Sequence, residues 1–232
     1  MAENQAPPVA QYYASQTASA LDLPGIYAWY YAPDVRSPEA FTSRVLPVLE
    51  SFVHDDRTAY LEVSDSYRMR LVGEASLHRA PTERGRTLRE ILDLLVKEPA
   101  VRNQFFSRTF ITAFCRPIYI GLTERSLRTR VYEEHFLGLD SLWDENSAVS
   151  RYLSAGREAV SVDEVAARLG LNHSFALEAR VRGIRTRDLL AQLLYLPREL
   201  IDWLVEEDGG RNPLRDLERV LQLLSFPVCG RV

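Results

Sequence analysis

Apolar positions along the chain switch repeatedly between the two-residue period of strands and the 3.6-residue period of helices. Residues 26–31 form an aromatic and β-branched run ended by Pro33-Asp34, which predicts a strand closed by a turn. Phe41, Val45, Val48, Leu49 and Phe52 recur at helical spacing behind Ser37 and Pro38, an N-cap followed by proline in the first turn, so a helix is expected over 38–52. Residues 59–63 and 67–72 alternate in polarity around Ser64-Asp65-Ser66 and predict a hairpin. Leu88, Ile91, Leu92, Leu95 and Val96 then mark a helix over 86–97.

Beyond Pro99, residues 105–119 read as β-rich in their later part, and Pro117 opens a strand through Gly121. A helix is expected over 127–136, capped by Thr123 or Ser126 and stopped by Gly138. Ser161 and Glu164 form a capping box for a helix over 162–169. The Leu-rich run 189–196 reads as a third core strand or a buried helix segment. Leu214, Leu217, Leu221 and Leu224 predict a last helix, with Pro227 beyond its end. Residues 1–22, rich in Ala, Gln, Ser and Pro without periodicity, are expected to be a flexible leader, with order beginning near Leu23.

Composition narrows the class. At 232 residues and 46% apolar content the chain can bury a sizeable core. No apolar run approaches a membrane span and the N-terminus lacks a signal-peptide pattern, so a cytoplasmic protein without membrane contact is expected. Two cysteines, Cys115 and Cys229, without a Cys-x-x-Cys pair, suggest neither a disulfide framework nor zinc. The net charge of −4 argues against a surface that tracks nucleic acid throughout. Between residues 102 and 130, however, Arg102, Arg108, Arg116, Arg125, Arg128 and Arg130 face the single acid Glu124, a local basic patch suited to phosphate.

Two strings fall on the expected strands: Gly25-Ile26-Tyr27 and, beside that patch, Tyr119-Ile120-Gly121. With the helix Ser126-Leu127-Arg128-Thr129-Arg130 and the last helix carrying Glu218 ahead of Pro227, they resemble the GIY-YIG endonuclease family. The resemblance implies an α+β fold, a small three-stranded antiparallel sheet flanked by helices, formed by residues 23–34 and 105–232. Residues 35–104 would then be an inserted α+β module, since the two strings normally lie close together in that family. It also implies a metal-dependent endonuclease acting on nucleic acid, DNA before RNA, with Mg²⁺ or Mn²⁺ held by Glu218.

In that reading Tyr27, Tyr119, Arg130, Glu218 and His135 are the catalytic set, and Arg128, Arg125, Arg116 and Gly121 contact substrate. Tyr27 would act as base, its pKa lowered by a neighbouring cation, with Tyr119 positioning and Arg130 stabilising charge on the phosphate. The chain departs from the family in two further respects. His135 stands five residues after Arg130 where the family places His or Tyr one helical turn away, so either Arg128 is the active arginine or the helix is locally irregular. The asparagine expected after Pro227 is absent, leaving Asn212 or another residue as a substitute. A catalytically weak or inactive module that binds nucleic acid or protein is the alternative, with a protein partner possible through the insertion. Residues 161–173 also have a helix-turn-helix look, which would bring Arg180, Arg182, Arg185 and Arg187 to a duplex backbone.

Overall fold

Strand pairing organises the molecule. The computed structural model describes residues 9–53, 57–64, 70–77, 83–155, 161–199, 201–202, 213–225, 227 and 229. The strands are β1 (Val9–Tyr13), β2 (Gly25–Tyr31), β3 (Arg57–Ser64), β4 (Arg70–Leu77), β5 (Tyr119–Thr123) and β6 (Leu189–Tyr195). The helices are α1 (38–53), α2 (Glu83–Lys97), α3 (Pro99–Phe105), α4 (Arg108–Phe114), α5 (127–142), α6 (Ala148–Ser154), α7 (Val162–Leu169), α8 (Phe175–Val181) and α9 (Pro213–Ser225). The fold is α+β, and the chain divides into one unit of residues 1–34 with 104–232 and another of residues 35–103.

The first unit is built on an antiparallel sheet of order β1-β6-β2-β5. Four strands stand where three were expected, because β1 comes from the segment read as a leader. Its backbone pairs with β6 from Val9↔Leu194 to Tyr13↔Leu190 and closes an edge that the Leu-rich strand would otherwise expose. Thr17 and Ala14, in the 3₁₀ turn that follows, are buried. The run 189–195 is a strand and not a helix segment, held between β1 and β2 on both sides.

The β2–β5 register sets Tyr27 opposite Gly121 and Trp29 opposite Tyr119. Since side chains alternate across a strand, Tyr27, Trp29, Tyr119 and Gly121 share one face. On the other, Tyr30 and Leu190 pack against Ile111 of α4. That helix corrects the β-rich reading of 105–119: Ser107 caps it, its hydroxyl accepting from Phe110 N at 3.3 Å, and the strand begins only at Tyr119. Along β5, α9 covers the sheet edge, where the Gln222 amide donates to Ile120 O at 3.4 Å and Cys229 N donates to Ile118 O at 2.6 Å.

Helix α5 starts at the Ser126 cap, whose hydroxyl accepts from Thr129 N at 3.0 Å. It runs through Gly138 to Leu142 and does not stop before that glycine, which keeps a helical conformation. Residues Thr129–Phe136 are wound as a π-helix, with Leu137 N donating five residues back to Tyr132 O. Helices α7 and α8 flank Gly170 at φ 64°, the αL cap. The helix-turn-helix reading does not survive, because Phe175, Leu177, Glu178 and Ala179 of the would-be recognition helix are buried. Arg180 and Arg182 are engaged internally, donating to Leu142 O at 3.1 Å and to Glu178 Oε1 at 3.0 Å, and Arg185 stacks on Trp143.

In the second unit, the Ser37 hydroxyl caps α1 by accepting from Ala40 N at 3.2 Å. β3 and β4 pair from Arg57↔Leu77 to Ser64↔Arg70. The turn expected at Ser64-Asp65-Ser66 falls largely outside the described residues. Arg102 is buried and donates to Val35 O at 2.7 Å and to the α2 carbonyls Leu95 O and Val96 O at 3.0 and 3.2 Å. It therefore belongs to this unit's interior and not to the basic patch.

Candidate active site

The shared face of β2 and β5 brings the first tyrosine to the centre of a cluster. Gly121 makes this possible: a Cβ there would lie 2.6 Å from Tyr27 Cζ, so any side chain opposite Tyr27 would have to displace the phenol. Tyr119 stacks beside it with ring centroids 6.1 Å apart. From α5, Arg130 Nε donates to Tyr27 Oη at 3.2 Å and His135 Nε2 lies 3.3 Å from the same oxygen. Glu134 pairs with the Arg130 guanidinium on the outer side. Behind them Trp29 Nε1 donates to His135 Nδ1 at 3.1 Å, and Phe175 of α8 stacks on both His135 and Trp29.

The π-helical turn explains the odd spacing. In an α-helix two residues five apart point about 140° away from each other. In a π register, with more residues per turn, they return to the same side of the helix, and Arg130 and His135 reach one phenol oxygen. The geometry thus brings Arg130 to the Tyr27 hydroxyl, while Arg128 is exposed at the start of α5. Arg125 and Arg116 are exposed on either side of β5, and Arg108 stacks on the Tyr13 ring at 4.4 Å. Of the basic patch, Arg116, Arg125 and Arg128 therefore remain open to solvent.

Electrostatics follow from burial. Tyr27 is 1% exposed, and desolvation together with Tyr119 pushes its pKa well above the usual value, against the pull of Arg130. Tyr119 is only half-buried; desolvation and the Glu218 charge raise its pKa, while Arg130 and the neighbouring Tyr27 lower it. The Arg130 guanidinium holds its proton more tightly than usual through Tyr27 and Glu134 despite desolvation. Burial and Arg130 push His135 down to about 3, so its ring is neutral. The expectation that a cation would lower the pKa of Tyr27 is reversed: burial outweighs the arginine.

The charge of Glu218, on α9, acts on both tyrosines and raises their pKa values. Gln222, one turn on, donates its amide to Glu218 Oε1 at 3.4 Å. Among the described residues no group of three His, Cys, Asp or Glu converges, and Glu218 is the carboxylate whose charge acts on both phenols. A single carboxylate with oxygen neighbours does not suit zinc, which takes three or four nitrogen and sulfur ligands. It does suit Mg²⁺ or Mn²⁺, which binds through one or two carboxylates and fills its remaining positions with water and phosphate.

Trp29, Phe175 and Gln222 were not anticipated. Trp29 shares a face with Tyr27 by strand alternation, and Gln222 follows Glu218 at i+4, so both had a spacing signal. Phe175 had none. Asn212, the proposed substitute for the missing asparagine, lies outside the described residues. Comparisons of the chain with protein-family models, with curated proteins and with solved structures find no match. No helix among the described residues is long and apolar enough to cross a membrane.

Proposed function

We propose that the protein is a divalent-metal-dependent endonuclease of GIY-YIG type that hydrolyses phosphodiester bonds, in DNA before RNA. One observation carries the reading. Arg130 and His135 of α5 meet on the hydroxyl of Tyr27, with Tyr119 stacked alongside and the charge of Glu218 felt by both phenols. Four residues singled out by the resemblance, drawn from three separate elements, meet around one phenol, and the charge of a fifth, Glu218 on a fourth element, acts on both tyrosines. A core tyrosine needs a hydrogen-bond partner, but it has no need of an arginine and a carboxylate around a second tyrosine.

Phosphodiester hydrolysis requires an oriented water and charge stabilisation on the phosphate oxygens. Burial divides the tyrosines in the opposite sense from the expected one. Tyr27, with its oxygen held by two neighbours and closed to solvent, positions; half-buried Tyr119 is the phenol that meets the attacking water. Arg130 donates to the phosphate as charge develops, and Glu218 is the residue to hold Mg²⁺ or Mn²⁺. The ion, when bound, neutralises phosphate charge and supplies a Lewis acid. Arg116, Arg125 and Arg128 contribute backbone contacts.

The test is cleavage of supercoiled plasmid and of labelled single-stranded and branched DNA and RNA with Mg²⁺, Mn²⁺ or EDTA. Metal-dependent cutting that falls by about 10²-fold or more in both Glu218→Gln and Tyr119→Phe is expected. Failure of folded wild type to cut any substrate refutes it. The second reading, a module that binds nucleic acid without cutting, is favoured by the Arg130–Glu134 pair, which occupies part of the guanidinium. It predicts retarded gel mobility with all cleavage lanes blank.

A further inference from the structure

We infer that Trp29 is a positioning residue: its indole N–H, donated to His135 Nδ1, locks the imidazole in the Nε2–H tautomer and makes His135 a fixed donor to Tyr27, not an acceptor of its proton. The effect on turnover rests on the nuclease reading; the tautomer itself does not.

The argument is one of donor and acceptor inventory. An indole nitrogen can only donate, so the His135 Nδ1 facing it at 3.1 Å must offer a lone pair. A neutral imidazole with its lone pair on Nδ1 carries its proton on Nε2, and Nε2 lies 3.3 Å from Tyr27 Oη. The reverse assignment, with Nε2 accepting from Tyr27, would set two N–H groups against each other at 3.1 Å in a buried place. Trp29 cannot turn aside to relieve that clash. It is fully buried, stacked on Phe175 at 5.9 Å and 10° and nearly parallel to the His135 ring at 16°.

Tyr27 Oη then receives two hydrogens, one from His135 and one from Arg130 Nε. A phenol oxygen has two lone pairs, so its accepting capacity is full and what remains is its own proton. Donation runs in one sense, from Trp29 through His135 to Tyr27. Trp29 fixes the direction at its start.

The tautomer is read from two-bond ¹H–¹⁵N correlation spectra of protein labelled at histidine nitrogen, with the His135 signals assigned by their loss in His135→Gln. Wild type is expected to show an unprotonated Nδ1 and a protonated Nε2. Trp29→Phe keeps an aromatic ring against Phe175 but removes the donor, and its two nitrogen shifts should move towards each other as the Nδ1–H form becomes populated. Encoding benzothienylalanine at position 29 replaces the N–H by sulfur at unchanged shape and gives the same reading if the phenylalanine variant does not fold. In cleavage assays either replacement should lower kcat by about 10-fold at constant KM. A wild-type Nδ1–H tautomer, a tautomer unchanged in a folded variant, or an altered tautomer at unchanged kcat overturns the inference. If the wild type cuts nothing but shows the expected spectra and response, the nuclease reading fails while the Trp29 lock stands.

Discussion

The neutral His135 is the residue-scale feature with the plainest consequence for stability. Its pKa is about 3 in the fold because of burial and Arg130, whereas an unfolded histidine titrates near 6.5. Between those two values the unfolded chain binds a proton that the folded chain excludes. The corresponding stability is complete above pH 6.5 and is lost as pH falls towards 3. Between pH 7 and pH 5 this one group should cost about 2 kcal/mol. Urea unfolding at the two pH values measures the loss, and His135→Gln should flatten it. A variant with the wild-type pH slope would mean that His135 is protonated in the fold. The acidic charges of Glu133 and Glu134 next to His135 in the sequence gave no hint of this, because burial depends on which side of α5 meets the sheet.

At the scale of elements, the π-helical turn at Thr129–Phe136 is the device that joins Arg130 to His135. Deleting Glu133, an exposed residue between them, should return the turn to α-helical winding with the two at i,i+4. Both would still face Tyr27, so thermal unfolding followed by circular dichroism should give a Tm no lower than that of wild type. A fall of many degrees would show that the π winding is needed for α5 to seat on the sheet.

The same turn shows where sequence reasoning ends. Tyr27, Tyr119, Arg130, His135 and Glu218 could each be named from the sequence, and the five-residue spacing of Arg130 and His135 hinted at an irregular helix, but no residue pattern separates a π register from a shift of role to Arg128. Helix α7 was legible because its apolar spacing matches its burial, and β6 was one of the two readings its Leu-rich run left open. The stretch holding α4 was not, since its aromatic and β-branched residues favour strands and the Ser107 cap tips it to helix. Strand β1 is five residues of mixed polarity whose stability comes from β6, a partner far away in sequence.

For the whole molecule, the division of labour is the question with the largest consequence. All four strands of the sheet, and every residue of the candidate site from Tyr27 to Gln222, belong to the unit of residues 1–34 and 104–232. The buried Arg102, which ties Val35 to the end of α2, belongs to the other. Each unit therefore has interior contacts of its own, the condition under which an inserted segment can be exchanged without loss of the host fold. Replacing residues 35–103 by a flexible glycine-serine linker should leave a protein that unfolds cooperatively and keeps the His135 nitrogen spectrum of the full chain. If the full chain cuts nucleic acid, the shortened one should keep its metal-dependent chemistry, and any change in substrate preference would belong to the excised unit. A shortened protein without a cooperative transition would instead make the two units one folding entity, and the second would then have to be counted among the supports of the site.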